Sequence, residues 1–519
     1  MGEFLNSLEK VNQFTKQEKE KYFVDKSMLI EKMNELVGTA SQFVCITRPR
    51  RFGKSVNAMM LASYYSKNLD TKDVFDKLNI NKSASYLEHL NKHNVIFMSF
   101  NAGNYKFDEY KEYINFFRNG LIEDLKQIIP DIDETKPISL IFNEVYKRTG
   151  EGFIFIIDEW DYIFNREKYT IEDRRNFLGF LEDLLKDKSY VELAYMTGIL
   201  PIAKHSSGSS LNMFDEYTAI GDRVYGDYFG FTQEEVEELC KKQDEVTLEE
   251  LQEWYNGYCS YKGERIYNPR SVVYALRRGE CQSYWTKTGK MDDIVDCIQG
   301  DVDNVRDDII KMLDGKAILF DEGDFLSEKI ELNTKKQIFT AMVILGFLSF
   351  HDGYLTIPNK ELRIKFAQSM ENDMFGEYGK VIRNSNEMLN ATLNKDTNTM
   401  EELIREAHSL YTPVLKYNDE NALACVITII YLSALKRYRI RREQKSGEGF
   451  ADFIFYPRNK NGVAFIIELK VNDTPDNAIA QIKEKNYIQT LKDYTGEKLL
   501  IGITYDSKDK KHSVKIEEI

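Results

Sequence analysis

Three stretches of this chain hold residues whose types and spacing suit chemistry at phosphate. Residues 46–57 read ITRPRRFGKSVN, after an apolar run at 43–46 and before the helical pattern of Val56, Met59, Met60, Ala62 and Tyr64. Strand, tight Gly-Lys-Ser turn and helix make the setting of a phosphate-binding loop. Gly53 lets backbone N–H groups turn inward onto phosphate oxygens. Lys54 would set its ammonium on the β- and γ-phosphates, Ser55 would offer its hydroxyl to Mg²⁺, and the following helix points its positive end at the anion. Pro49, Arg50, Arg51, Phe52 and Val56 complete the stretch expected to wrap the nucleotide. Such a loop ordinarily opens on glycine; here that position is Arg48. The second stretch, FIFIIDEWD at 153–161, runs five apolar residues into two carboxylates. Asp158 would hold Mg²⁺ through water and Glu159 would polarise the attacking water, so ATP and Mg²⁺ are the expected cofactors. The bland alternative is a core strand ending in solvated acids.

The third stretch lies near the C-terminus: GEGFADFIF at 447–455, then VAFIIELKV at 463–471, with Asn461-Gly462 between. Two strands joined in a hairpin are expected. Residues two apart on a strand share a face, so Glu468 and Lys470 point the same way, within reach of Asp452 on the neighbouring strand. Two carboxylates and a lysine on one surface suit metal-assisted hydrolysis of a phosphodiester, with Mg²⁺ or Mn²⁺ on the acids and Lys470 positioning or deprotonating the nucleophile. On its own, Glu-x-Lys on a strand is also a common surface ion pair.

The elements that must position these residues alternate. Apolar runs at 95–100 and 191–197 read as further strands, and 107–149 and 173–187 read as helical, which predicts a parallel sheet with helices on both faces. From residue 230 the texture turns acidic and helical, and Thr232 with Glu235 forms a capping box. Residues 339–347 predict an apolar helix, and 350–357 a hairpin with Asp352-Gly353 at its tip, a winged-helix-like hint.

The totals bound the rest. A chain of 519 residues, 42% hydrophobic and 30% charged, has material for about two to four domains. Six scattered cysteines without paired spacing argue against a zinc site and for a reduced cytoplasmic protein. No run approaches a membrane span, and no secretory signal is visible, so no membrane partner is expected. A net charge of −14 weighs against coating nucleic acid by bulk electrostatics, while leaving room for a local basic groove.

Tyr22-Phe23-Val24-Asp25-Lys26-Ser27 followed by Arg48-Pro49-Arg50-Arg51-Phe52-Gly53-Lys54-Ser55 resembles the opening of the bacterial AAA-ATPase-like family, which tolerates the missing first glycine. The segment WYNGYCSYKGERIYNPRSVVYAL at 254–276 is similar to the same family and implies a helical lid. The resemblance also implies a γ-phosphate sensor at the tip of the strand beside Asp158, placing it at Thr197. Transition-state charge calls for an arginine acting in cis or in trans, for which Arg174, Arg175 and Arg223 are equal candidates. The C-terminal constellation resembles the PD-(D/E)xK nuclease superfamily. That resemblance adds Glu420, on a preceding helix, to the metal shell, and Gln481 and Tyr487, on a following helix, to the site.

Together these imply a P-loop NTPase domain at 1–229, a lid at 230–289, a helical or winged-helix-like connector at 290–400 and a restriction-endonuclease-like α/β domain at 401–519. The expectation is an ATPase whose nucleotide state gates a nuclease, DNA before RNA. Its rivals are a signalling or scaffold ATPase with a silent nucleic-acid-binding domain, and a homo-oligomeric ring motor.

Overall fold

A computed structural model describes residues 2–102, 107–202, 211–260, 263–285, 304–321, 332–370, 376–415, 419–446, 449–459 and 461–519. It divides into two compact units. The first comprises Met1–Cys281, Phe320–Leu332 and Lys336–Gly353; the second comprises Gln282–Leu319, Asn333–Lys335 and Tyr354–Ile519. Gly447 and Glu448, which open the GEGFADFIF stretch, lie outside the described residues.

The first unit is built on five strands: β1 (Phe43–Thr47), β2 (Asn94–Ser99), β3 (Phe153–Asp158), β4 (Val191–Gly198) and β5 (Asp215–Tyr217). All pair parallel, in the order β2-β3-β4-β1-β5. Strands buried on both faces read as unbroken apolar runs because each face feeds its own core. On β3, Phe153, Phe155 and Ile157 enter one core with α2 (Tyr110–Lys126), α3 (Ile138–Thr149) and α4 (Ile171–Leu185), while Ile154 and Ile156 enter the other. That second core holds the buried side of α1 (Lys54–Tyr65), which begins directly at the Gly-Lys-Ser turn. Asp215–Tyr217 was not legible as a strand: three residues, none buried, give no periodicity.

The outer strand β2 would present a row of unpaired backbone groups. The N-terminal residues cover it. Leu5 bridges Ile96 antiparallel, the Phe97 N–H donates to the Phe4 carbonyl at 2.8 Å, and the Asn6 N–H donates to the Val95 carbonyl at 2.8 Å. Asp124 on α2 anchors this strap by accepting from the backbone N–H groups of Glu3, Phe4 and Leu5 at 3.0, 2.6 and 2.9 Å.

Residues expected as a helical lid hold α5 (Gln233–Cys240), α6 (Leu248–Tyr255) and α7 (Pro269–Arg278), but also two short antiparallel strands, Tyr258–Cys259 and Arg265–Ile266. Pro269 sets where α7 begins, and Asn268 caps it by accepting from Ser271 N–H at 3.2 Å. The Thr232–Glu235 capping box is present, with a second at Thr247–Glu250. The Asp352-Gly353 turn takes positive φ at both residues, 48° and 81°.

The second unit holds α8 (Glu420–Ile430), β6 (Tyr438–Ser446), β7 (Gly449–Pro457), β8 (Ala464–Val471), α9 (Pro475–Glu484), β9 (Lys498–Asp506) and β10 (Lys511–Glu518). Its mixed sheet runs β6-β7-β8-β9-β10, antiparallel except between β8 and β9, which α9 connects. A Cβ at Gly502 of β9 would stand 2.4 Å from the Pro475 carbonyl oxygen, so glycine is what lets α9 sit this close to the sheet. The one following helix expected to carry both Gln481 and Tyr487 is broken: α9 ends at Glu484, and Asn486 in the left-handed region starts a separate 3₁₀ turn, Tyr487–Leu491. The preceding helix expected to bear Glu420 is α8, which begins at that residue.

Candidate active sites

At the first site, strand order brings the chemistry together. β4 lies between β1 and β3, so Thr197 is in register with both Ile46 and Asp158. Gly53 has φ 91°, and a Cβ there would stand in open space, leaving the cradle free for phosphate oxygens. Lys54 is buried, and its Nζ donates to the Arg48 and Pro49 carbonyls, each at 2.9 Å. Burial lowers its pKa to about 8, against the upward pull of Asp161, Asp158 and Glu159; Arg50, close by, pushes it further down. The Ser55 hydroxyl donates to the Asp158 carboxylate. Burial raises Asp158, and raises Glu159 with help from Asp158 and Asp161. Lys54 and Ser55 at the head of α1 thus stand beside Asp158 and Glu159 at the end of β3.

Other residues named from sequence are placed differently. Arg48, at the glycine position, turns away from the loop. Its guanidinium pairs with buried Asp222 and donates to the carbonyls of Thr47 and Tyr217 at 2.8 and 3.0 Å. Phe52 packs edge-on against Tyr258, centroids 5.0 Å apart, and its carbonyl accepts from Gly230 N–H, so it holds the loop from outside. Val56 packs at the margin of the α1 core. Thr197 is 0% exposed, and its hydroxyl donates to the Ile46 carbonyl at 2.8 Å, which stitches β4 to β1. Arg174 donates to the Arg166 carbonyl, and Arg175 leans toward Glu172 on the same helix.

Two residues escaped the sequence reading. Asn101, just past β2, hydrogen-bonds Glu159 and helps hold its pKa down. Asp161, two residues past Glu159, accepts from the N–H groups of Ile199 and Leu200 at 3.2 and 3.1 Å, and so fixes the chain leaving β4. Asp161 stood inside the FIFIIDEWD stretch; Asn101 had no signal except its place after an apolar run.

At the second site the strands deliver the expected residues. The β7–β8 ladder ends at Phe453–Ile467, and the Asp452 carboxylate accepts the Leu469 N–H at 2.7 Å in place of a backbone partner. Lys470 Nζ donates to Glu468 Oε1 at 3.0 Å. Gln481 on α9 also donates to Glu468 Oε1, and to the Tyr487 hydroxyl at 3.3 Å. Glu468 is 2% exposed; burial and then Asp452 push its pKa up to about 7. Burial raises Asp452 too, against the Leu469 N–H and Lys470. Burial works against the Lys470 ammonium, and the pull of Glu468, Glu420 and Asp452 outweighs it, leaving the pKa raised.

Glu468 Oε2 is buried without a hydrogen-bond partner. An orphaned carboxylate oxygen beside a second carboxylate fits one coordination edge of a divalent cation. Glu420, the first residue of α8, acts on Asp452 and Lys470 through its charge. It does not close a cage, since no three His, Cys, Asp or Glu side chains among the described residues stand close enough to hold one ion.

Comparison with known proteins agrees with this division. Residues 10–207 match the family model for a predicted AAA-ATPase, AAA-ATPase-like, and residues 418–515 match that of the PD-(D/E)XK nuclease superfamily. The chain thus joins an AAA-ATPase-like domain to a C-terminal domain of the PD-(D/E)XK nuclease superfamily. Over 505 residues it is 24% identical to the protein in the vnfD 5′ region of Azotobacter chroococcum mcd 1, covering 90% of this chain and 89% of that one. Among solved structures it is similar to the ORC2 protein of Aeropyrum pernix (ADPNP–ADP complexes), at 10% identity and a TM-score of 0.31, covering 64% of this chain and 87% of that one. No helix among the described residues is long and apolar enough to cross a membrane.

Proposed function

We propose that this protein binds and hydrolyses ATP at its first site and uses the nucleotide state to control a metal-dependent phosphodiesterase at its second, acting on nucleic acid and on DNA before RNA. Residues 49–56 wrap the phosphates, Lys54 neutralises them, Ser55 and Asp158 hold Mg²⁺, and Glu159 orients the attacking water, released to do so from Asn101. Thr197 serves this site as a γ-phosphate sensor only when its hydroxyl leaves Ile46. At the second site Asp452 and Glu468 take Mg²⁺ or Mn²⁺, which supplies the activated water. Lys470 and Gln481 orient Glu468 and the reacting phosphate. The observation that carries the nuclease reading is the orphaned Glu468 oxygen beside Asp452 and Lys470. A cytoplasmic location fits the reduced thiols of Cys45, Cys240, Cys259 and Cys425.

The test is cleavage of linear, circular and single-stranded DNA and of RNA, with Mg²⁺ or Mn²⁺, with and without ATP. Lys470→Ala or Asp452→Ala should abolish cleavage and leave ATP turnover largely intact, while Lys54→Ala should abolish turnover in a folded protein. Cleavage that survives Lys470→Ala overturns the nuclease site; turnover that survives Lys54→Ala overturns the ATPase site. One second reading is a signalling or scaffold ATPase whose C-terminal domain only binds; it is favoured by the donor count, since among the described residues no third His, Cys, Asp or Glu side chain joins Asp452 and Glu468 around one ion. ATP turnover without cleavage of any substrate would select it.

A further inference from the structure

Residues 436–445 hold six cations and a single acid, in a chain of net charge −14. The run is Lys436, Arg437, Arg439, Arg441, Arg442 and Lys445, with Glu443 the exception. Most of it is β6, an outer strand of the second unit's sheet, whose ladder joins it to β7. β7 carries Asp452, so the most basic strand of this unit runs directly beside the strand that bears a metal-binding carboxylate. Lys436, Arg437 and Lys445 are exposed. Arg442 is committed elsewhere, bonded to Asp314 at 3.0 Å.

One more feature lies at the same place. Phe450 is 61% exposed, although Ala451 beside it is 0% and Phe453 2% exposed. It is not the spill-over of a core. Across the ladder it pairs with Lys445, and two residues along the strand comes Asp452. A flat apolar ring held out beside a cation and next to a catalytic acid matches how single strands are held: cations follow the phosphates, and an aromatic face takes an unstacked base. A base inside a duplex is already stacked and offers no such face.

From this juxtaposition we infer that β6 and Phe450 form an entry track for single-stranded nucleic acid, with Phe450 stacking on a base next to the phosphate delivered to Asp452 and Glu468. The inference rests on the nuclease reading of that site. The competing account is that the cations merely keep an outer strand from pairing with other sheets; it predicts no effect on nucleic-acid binding.

The experiment is equilibrium binding of a labelled oligothymidylate, and of a duplex of equal length, to the full chain in EDTA across a salt series. Single-strand binding should exceed duplex binding. Phe450→Ala should weaken it about 5- to 150-fold while leaving ATP turnover unchanged. Arg441→Glu and Lys445→Glu should each lower the salt slope by about 0.7. Phe450→Trp should keep binding and show fluorescence quenched by the oligonucleotide. Wild-type affinity in Phe450→Ala and Lys445→Glu, or a preference for duplex, overturns the track. If cleavage then still depends on Asp452, the nuclease reading survives that failure. Binding that depends on Phe450, with no cleavage of any substrate, leaves the track standing and removes the enzyme.

Discussion

Lys54 serves two opposed demands. It must be buried to meet phosphate without water between, and burial disfavours its charge. The outcome is a pKa of about 8, reached although Asp161, Asp158 and Glu159 pull upward. The ammonium is therefore intact below about pH 8 and lost above it, and ATP affinity should fall by up to tenfold per unit as pH rises beyond that point. A fluorescent nucleotide titrated between pH 7 and about 9.5 would show this; Lys54→Met should flatten the profile, and a flat wild-type profile would refute the assignment. Glu468 titrates in the opposite sense. Its folded pKa is raised from 4.5 to about 7, so the folded protein holds more protons than the unfolded one in between. This group's contribution to stability is present at low pH and lost as pH climbs through about 7, a loss on the order of 1–3 kcal/mol. Glu468→Gln should therefore raise the Tm at pH 8 without metal. Mg²⁺ should raise the wild-type Tm and leave the variant unmoved, because the cation replaces the proton on the carboxylate.

At the scale of elements, each site depends on a segment that does no chemistry. The strap at residues 3–6 shields β2, whose far end leads to Asn101 and so to Glu159. Asp124 accepts three backbone N–H groups there while itself 4% exposed. Asp124→Ala leaves the buried donors of Phe4 and Leu5 and the half-buried donor of Glu3 unmet and should cost about 2–4 kcal/mol in urea unfolding, far more than an ordinary surface change. Urea stability equal to wild type would show that the strap is dispensable. In the second unit, α9 holds Gln481 over Glu468 because Gly502 lets its backbone come close.

At the scale of the molecule, two sites with separate donor sets occupy one chain, and the proposed control of one by the other is a matter of coupling free energy. A non-hydrolysable ATP analogue should change the cleavage rate of the wild-type chain, by the 5- to 150-fold that couplings of about 1–3 kcal/mol produce. The same analogue should leave Lys54→Ala unchanged. Equal cleavage rates with and without the analogue in the wild type would separate the two activities and leave fusion without control.

Local pattern sufficed for much of this. The Gly-Lys-Ser turn, the apolar strand ending in Asp158-Glu159 and the Glu-x-Lys strand are continuous in the chain, and their periodicity, turn chemistry and two-residue alternation are properties of neighbours. The α/β class, the capping box at Thr232 and the Glu468–Lys470 contact were legible for the same reason. What required the tertiary structure is whatever joins distant residues. Whether Arg48 faces phosphate or Asp222 depends on a partner 174 positions away. Whether the Thr197 hydroxyl points at nucleotide or at Ile46 depends on strand order, which periodicity does not encode. The strap on β2, the Asn101–Glu159 contact and the orphaned Glu468 oxygen likewise exist only once burial has set which polar atoms find partners and which do not.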